Sequence, residues 1–516
     1  MGRQLDSLTI PCGQGSINRT KNLANIPKSD LAMADGITVE RDLFEKEHGA
    51  SKVNSVTLAA STKVTGLHEL IIGATQEQIA YLDNGSIVTV TSSGIGKTIK
   101  TGLTTGTFPR FTEGWDGAAK ALYITNGKDT PQVYTQGAST SNIPGPAGDW
   151  SGTNQPTDFV SHKARMFGFG NGNFPHTLYL SDVGTHGDFT GGESALHIVY
   201  PGDGEKIVAA ISWRERLYVF KYPRGIYIFD DTDISPSNWR VVKVTGSIGV
   251  AGPGCVLVTE DDILILASDG YIYALSQIRT LGQVEMPPLL PIQTGEFFKE
   301  ELNLSNLDIV QSVYYGHKRK AMFAVPGTGS TVNNRRIDID MHVSGRPMVF
   351  YSKRDTQPSI GLRRATLTAI PKPIIGDDNG FVYDIENTVR AKDGAGFNGQ
   401  FETPGLALYR AGNRRGNLKE LEITFQPQGA YDVDVEVHRD GVLSETVKFS
   451  QQSPGAAASS FSLDSDVIAG NTVANVRKRI TGDARFVKLL ARNNVLNETF
   501  RIMDMNLRYT GGSTKP

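Results

Sequence analysis

Short runs of alternating apolar and polar residues, separated by turns that contain glycine, dominate the chain from about residue 66 onward. Gln78-Ile-Ala-Tyr-Leu-Asp-Asn-Gly85 leads into Ser86-Ile-Val-Thr-Val, and Ile263-Leu-Ile-Leu-Ala-Ser-Asp-Gly270 leads into Tyr271-Ile-Tyr. Asn-Gly and Asp-Gly between such runs are the strongest short-range hairpin signal, because the turn needs residues that tolerate a positive φ. The pattern therefore predicts a succession of antiparallel hairpins.

The hairpins recur with a regular period. Two of the units are weaker than the rest: Met166–Gly172 before Thr177, and Ala321–Gly327 before Ile337. The hairpin glycines, in order, are Gly85, Gly127, Gly172, Gly225, Gly270, Gly327 and Gly380. Seven units over residues 66–390 give about 46 residues each, which is typical of a propeller blade. A blade cannot bury both of its faces alone, so several must surround one axis. The sequence predicts an all-β, roughly seven-bladed β-propeller; the alternative is a run of unrelated hairpins in two sandwiches.

The regions outside the repeat predict two further parts. Residues 1–54 are polar with few strand-like runs, which predicts an N-terminal extended arm with a short helix near 42–48. Residues 55–395 form the predicted propeller, interrupted by an insertion at 277–309 in which Thr294 would cap a helix with Glu296 in its first turn. Residues 396–516 carry longer alternating strands, which predict a C-terminal antiparallel β-sandwich.

Charge and composition narrow the class of protein. The 516 residues include 52 Lys+Arg and 54 Asp+Glu, a net charge of −2, without the basic excess of a protein that grips nucleic acid. Cys12 and Cys255 are the two cysteines, which give no disulfide framework and favour a reducing compartment. The start lacks a signal-peptide pattern, and no run of about 18 apolar residues indicates a membrane span. We expect a soluble protein that folds in the cytoplasm and does not insert into membranes.

Two kinds of sequence pattern could indicate a ligand-binding site, but we prefer an interpretation without a bound ligand. Gly94-Ile-Gly-Lys-Thr98 resembles the end of a phosphate-binding loop, but Thr91 stands where the loop requires glycine. Asp338, Asp340 and His342 alternate on one predicted strand and would share a face, where they could hold a metal or form a solvated outer face. The solvated face is favoured because no fourth ligand is near. Asp182, His186 and Asp188 lie similarly in a glycine-rich loop.

Adjacent carboxylates raise the possibility of a propeller glycosidase. The pairs are Asp230–Asp231, Asp261–Asp262 and Asp377–Asp378. They fall at predicted hairpin tips, where Asp favours the turn itself, so a turn-forming role is the preferred interpretation. The segment Ser268-Asp269-Gly270 departs from a sialidase Asp-box after Gly270, and Trp115–Asp116 is a single Trp-Asp pair rather than a repeat. We therefore assign no catalytic, cofactor-binding or metal-ligating residue and expect no enzyme activity.

Three strings in the repeat resemble a known family. They are His176-Thr-Leu-Tyr-Leu-Ser-Asp-Val-Gly-Thr-His-Gly-Asp-Phe189, Trp213-Arg-Glu-Arg-Leu-Tyr-Val-Phe-Lys-Tyr-Pro-Arg-Gly-Ile-Tyr-Ile-Phe229, and Gly246–Val256 followed by Asp261–Gly270. In this order, together with Gly15–Leu23 and Lys46–Ala50, they are similar to the tail nozzle (packaged-DNA stabilisation) proteins of short-tailed bacteriophages. The likeness extends over most of residues 15–425.

The resemblance implies a structural virion protein of the phage tail. It implies a homohexameric ring below the portal and tail adaptor, with tail fibres or spikes and a needle or plug as further partners. Such a ring retains packaged DNA and lets it leave through the lumen without sequence-specific binding. The alternative is a propeller that binds or hydrolyses carbohydrate at the host surface, with Trp115, Trp150, Trp213 and Trp239 as candidates by residue type. A third possibility is a propeller scaffold for cellular partners.

Overall fold

A computed structural model describes residues 5–18, 26–40, 43–146, 148–233, 235–277, 289, 292–341, 347–353, 357–386, 389–409, 414–451 and 473–511. The chain divides into two compact units. The first unit comprises Met1–Ser51, Ile337–Arg354 and Asn387–Pro516, and the second comprises Lys52–Arg336 and Asp355–Glu386.

Seven small antiparallel sheets follow one another along the chain. Within each sheet, every strand is hydrogen-bonded to the next one. The last sheet is completed by a strand from before the first sheet. The first three sheets are β6 (Val64–Ile72), β7 (Thr75–Leu82), β8 (Ser86–Thr91) and β9 (Gly94–Lys100); β10 (Arg110–Trp115), β11 (Lys120–Thr125), β12 (Gln132–Tyr134) and β13 (Ser141–Asn142); and β14 (Asp158–His162), β15 (Arg165–Phe169), β16 (Thr177–Leu180) and β17 (Ala195–Ile198). The next two are β18 (Lys206–Trp213), β19 (Arg216–Tyr222), β20 (Ile226–Asp230) and β21 (Arg240–Thr245); and β22 (Val256–Val258), β23 (Ile263–Leu266) and β24 (Ile272–Ala274). The last two are β25 (Gln311–Tyr315), β26 (Lys320–Pro326), β27 (Asn333–Asp340) and β28 (Met348–Ser352); and β29 (Ser359–Arg363), β30 (Lys372–Gly376), β31 (Val382–Asp384) and β5 (Ser51–Lys52). This is a seven-bladed β-propeller, as the sequence predicted.

Each hairpin found in the sequence joins the second and third strands of one blade. The glycines that close the five clear hairpins have φ between 71° and 111°, the left-handed region that a side chain disfavours. They are Gly85, Gly127, Gly225, Gly270 and Gly380. The two weaker units also form blades, with β15 and β16 in the third and β26 and β27 in the sixth.

The hydrophobic core of the propeller lies between neighbouring blades. One cluster joins Phe167 and Leu180 of the third blade to Leu217, Val219 and Phe229 of the fourth. Similar clusters join the first blade to the second and the second to the third. Each blade therefore covers the face of the next, which explains why a single blade could not fold by itself.

The ring closes between its last blade and the segment that precedes the first. The Val53 amide donates to the Val382 carbonyl at 2.8 Å, and the side chain of Asn54 bonds to both Val382 and Gly380. The innermost strand of the seventh blade, β29, packs beside β6 of the first. Residues at both ends of the propeller thus share one sheet, so that neither terminal blade is left with an open edge.

The first unit contains two six-stranded antiparallel sheets, each of which pairs N-terminal strands with C-terminal ones. One has the order β3 (Ile37–Glu40), β4 (Leu43–Lys46), β39 (Arg501–Gly511), β34 (Gly416–Phe425) and β37 (Ala474–Ala484), with β1 (Asp6–Pro11) also paired to β39. The other has the order β2 (Met33–Asp35), β32 (Gly399–Glu402), β38 (Phe486–Asn493), β35 (Asp432–Arg439) and β36 (Val442–Ser450), with β33 (Leu406–Ala407) paired to β38. The predicted C-terminal strands are present, and Val433, Val435 and Val437 are fully buried on one face of β35.

The N-terminal residues differ from the prediction of an extended arm with a helix near 42–48. Residues 43–46 form β4, and Asp6–Pro11 forms β1, whose partners lie about 500 residues away in β39. The helix in the 277–309 insertion, α1 (Ile292–Glu301), is present, but Thr294 lies inside it and no acidic residue occupies its first turn. No helix among the described ranges is long and apolar enough to cross a membrane.

Candidate functional site: the propeller channel

The first strand of every blade faces the propeller axis, and together these strands enclose a cavity of about 650 Å³. The lining residues come from β6, β10, β14, β18, β22, β25 and β29 and the loops beside them. Polar and charged groups among them include Glu113, Asp158, Ser161, Ser212 and Gln311. Such a cavity is large enough for a small molecule.

Two long side chains cross the channel near the end at which the inner strands begin. Arg110, in the second blade, donates from Nη2 to the carbonyl oxygen of Val310, which precedes the sixth blade, at 3.0 Å. Gln311 donates from Nε2 to the carbonyl oxygen of Thr65, in the first blade, at 2.6 Å. These contacts pass between non-neighbouring blades, so they obstruct that end of the channel.

The other end carries two charged clusters. Glu113 binds His68 at 3.2 Å and Lys120 at 2.6 Å, and although burial opposes it, these two partners lower the pKa of Glu113. Glu69 pairs with Arg364 and also accepts a hydrogen bond from Gln76 at 2.8 Å. The carboxylates at this end of the channel are therefore each paired with a basic side chain.

One carboxyl group of the channel has an unusual acidity. Burial raises the pKa of Asp158 to about 7, against the attraction of Arg110 and the hydrogen bond from the Phe159 amide at 2.8 Å. Asp158 is thus a channel carboxyl group whose charge changes near neutral pH.

The adjacent carboxylates of the sequence occupy separate turns. Asp377 accepts the amides of Asn379 and Phe381, and Asp262 accepts the amides of Ile263 and Ser276. These contacts agree with the turn-forming interpretation. Asp231 is different: its carboxylate reaches the buried ring of His162 at 3.1 Å. Sequence reasoning missed this contact, because the partner lies one blade away.

Those predicted metal candidates that the structure describes do not come together as a site. Asp338 and Asp340 lie on β27, with only 6% and 5% of their surfaces exposed, so the expected solvated face is wrong. Alternation along one strand predicts only that the side chains share a face, and it does not say whether solvent or protein covers that face. His342 lies outside the described residues. Over the described ranges, no group of three metal-ligating side chains occurs.

The remaining candidates have structural surroundings. In the glycine-rich loop, Asp182 accepts the Glu193 amide, His186 accepts the Trp115 amide, and Asp188 accepts the Thr190 amide. Gly94–Lys100 forms the outer strand of the first blade rather than a phosphate-binding loop.

The four tryptophans lie in different surroundings. Trp150 packs against Phe159 and Phe189, and Trp239 stacks on His197 and Phe167. Trp213 lies under Arg214, and Trp115 is 47% exposed at the end of β10.

No protein-family model and no curated protein sequence matches this chain. Among solved structures, it is similar to BBS1N in complex with ARL6DN (TM-score 0.41, 9% identity, 66% of this chain and 96% of that chain). It is also similar to YCF48 bound to D1 peptide (TM-score 0.39, 9% identity, 66% and 96%). A third match is the exo-β-1,3-galactanase of Phanerochaete chrysosporium (TM-score 0.29, 10% identity, 90% and 100%). The propeller assignment rests on the strand order of this chain itself.

Proposed function

We propose that this protein is a structural component of a short-tailed phage tail, the tail nozzle, which assembles into a ring below the portal and adaptor. The proposal starts from the sequence strings similar to that family. These strings occupy β16, β18–β20 and β22–β23, in the third, fourth and fifth blades in order. In this account the ring retains packaged DNA and provides the channel for its ejection, and the chain itself performs no catalysis in this role.

The proposed assembly rests on a row of exposed apolar side chains at the rim of the third blade. Leu196, Ile198 and Tyr200 are 52%, 55% and 47% exposed and follow one another at every second residue. Leu196 and Ile198 share one face of β17, because residues two apart on a strand point to the same side, and Tyr200 follows beyond the end of the strand. They lie on or just after β17, the last strand of its sheet. Large apolar groups exposed on an edge strand are typical of an interaction surface, and we propose that a second copy of the chain covers them.

The dimensions of the propeller channel determine where DNA would pass. Arg110 and Gln311 cross the propeller channel near one end, so a DNA duplex could not pass through it. A DNA channel would therefore have to lie between copies of the chain, lined by their outer surfaces.

The test is the assembly state of a double variant, Leu196→Glu with Ile198→Glu, measured by sedimentation with and without the adaptor ring. We expect wild-type protein to enter a ring-sized species and the double variant to stay monomeric, because two buried carboxylates would oppose the contact. The matched control is Ile95→Glu, since Ile95 is 43% exposed on the outer strand of the first blade.

If the double variant assembled to the same extent as the wild type, β17 would not be part of the contact between copies. A wild-type chain that stays monomeric with the adaptor would contradict the proposed function. If the Ile95→Glu variant also failed to assemble, the loss of assembly would not be specific to β17. The contact between copies would then have to lie elsewhere on the rim of the propeller.

A further inference from the structure

A serine, a histidine and an aspartate form a continuous hydrogen-bonded chain at the side of the channel. The Ser212 hydroxyl lies 2.7 Å from Nδ1 of His162, and Nε2 of His162 lies 3.1 Å from the Asp231 carboxylate. His162 ends β14 in the third blade, Ser212 lies near the end of β18 in the fourth, and Asp231 follows β20. The fold thus unites residues 50 and 69 positions apart.

The surroundings fix the orientation of the imidazole. The His162 side chain is 1% exposed and that of Asp231 is 6% exposed, and Lys163 adds a 2.7 Å ion pair to the same carboxylate. Burial lowers the pKa of His162, although Asp231 opposes the change, so the ring is neutral near pH 7. With the Nε2 proton directed at Asp231, Nδ1 is left to accept the proton of Ser212.

Ser212, at the end of this hydrogen-bonded series, borders the channel. Ser212 is one of the residues that line the cavity of about 650 Å³, near the end that Arg110 and Gln311 do not cross. Phe111, Phe159 and Ile211 line the same cavity and supply apolar surface. A small ester with an apolar acyl group fits a pocket of this size and character.

We propose that Ser212, His162 and Asp231 form a serine-nucleophile site for small carboxylic esters at the propeller channel. A nucleophile bound to a base, which a third group orients, is the arrangement that activates a serine, whichever ring nitrogen faces it. Ser212 is the nucleophile and His162 the general base, while Asp231 is a positioning residue. The inference is independent of the proposed function, since it concerns one chain and no assembly.

The reaction consumes one ester and one water. The Ser212 oxygen attacks the ester carbonyl carbon and forms a new C–O bond while its proton moves to Nδ1 of His162. That proton passes to the leaving alcohol as the original ester bond breaks. Water, deprotonated by His162, then cleaves the acyl-serine, releases the carboxylic acid and restores the hydroxyl.

The experiment uses a fluorophosphonate probe on the full chain, because this reagent forms a P–O bond with an activated serine and expels fluoride. Mass spectrometry of the labelled peptide identifies the residue, and release of p-nitrophenol from p-nitrophenyl acetate measures hydrolysis. We expect label on Ser212 in the wild type, none in Ser212→Ala, and at least about 100-fold slower labelling in His162→Gln.

The control is Ser93→Ala, because Ser93 is exposed in the turn between β8 and β9 and is not among the residues that line the cavity; this variant should be labelled on Ser212 at the wild-type rate. Asp231→Asn should slow labelling by at least about 100-fold and move the pH midpoint of the rate downward, since the carboxylate raises the pKa of His162. Circular dichroism shows whether each variant is folded. An unlabelled wild type, or a Ser212→Ala chain labelled at the wild-type rate, would overturn the proposal.

Discussion

The Asn54 side chain joins the start of the propeller to its last blade by bonding to Val382, 328 residues away. Its Oδ1 accepts the Val382 amide at 2.8 Å, while Nδ2 donates to the Gly380 carbonyl at 3.2 Å. Both Asn54 and Val382 are fully buried. One side chain thus supplies both a donor and an acceptor to the backbone of the last blade, which fixes the register of ring closure.

Replacing Asn54 with Ala should therefore destabilise the propeller. The buried Val382 amide would lose this partner, at a cost of roughly 1–3 kcal/mol, whereas the Gly380 carbonyl would keep the Leu58 amide, which donates to it at 2.9 Å. Urea denaturation measures the free energy of unfolding. Asn494→Ala is the matched control, because Asn494 is exposed, and it should change that free energy by less than about 0.5 kcal/mol. Equal effects of the two substitutions would refute this account of closure.

The stability of the propeller should depend on pH through Asp158. The unfolded carboxyl loses its proton near its ordinary pKa of 3.8, whereas the folded one keeps it up to about pH 7. Between these values the folded state binds more protons, so stability falls as pH rises through that window. Asp158→Asn removes this contribution.

Thermal melting at pH 5 and pH 8 checks the prediction. The variant should lose less stability than the wild type between the two values. Asp261→Asn, at a side chain that is 71% exposed, should keep the wild-type difference. An unchanged pH dependence in Asp158→Asn would show that another group is responsible.

In the first unit, the carboxylate of Glu45 lies at the centre of a buried network of ion pairs. Its fully buried carboxylate contacts Arg501 at 2.7 Å and also pairs with Arg390. Glu45→Ala should cost about 3–5 kcal/mol, because it leaves two largely buried guanidinium groups without their acid. Chemical denaturation measures the loss. The exposed pair Lys448–Asp432 provides the control, and Asp432→Ala should cost at most about 1 kcal/mol.

The contact of Arg110 across the channel should also contribute to stability. Arg110→Met keeps the length of the side chain but removes the hydrogen bond to Val310, which we expect to cost about 1.5–3 kcal/mol. Arg224→Met is the comparison, since Arg224 has a side chain 65% exposed and pairs with Glu205 at the surface. Equal unfolding midpoints in urea for Arg110→Met and the wild type would show that the channel bond adds nothing.

The sequence predicted the propeller well because its signals are local. Each Asp-Gly or Asn-Gly turn and its flanking apolar runs lie within about 15 residues, and they identify the second and third strands of each blade. The turn role of Asp377 was predictable for the same reason. The blade count followed from the spacing of glycines such as Gly85 and Gly127.

Features that depend on distant partners were not predictable. The strand at Asp6–Pro11 is ordered by residues 504–509, and its own pattern is too short and polar to indicate a strand. The burial of Asp338 has no local signal either, because its strand reads as an alternation of polar and apolar residues. The contact of His162 with Asp231 joins two blades, so neither residue carries a local signal of the pair.

The most direct test of the proposed tail role is an electron-microscopy reconstruction of the purified chain assembled with its adaptor ring. We predict a closed ring of six copies, with β17 at the contact between neighbours and a central opening wide enough for duplex DNA. Each propeller channel should remain crossed by Arg110 and lie apart from that opening. A chain that stays monomeric beside the adaptor, or a ring whose opening is narrower than a duplex, would contradict it.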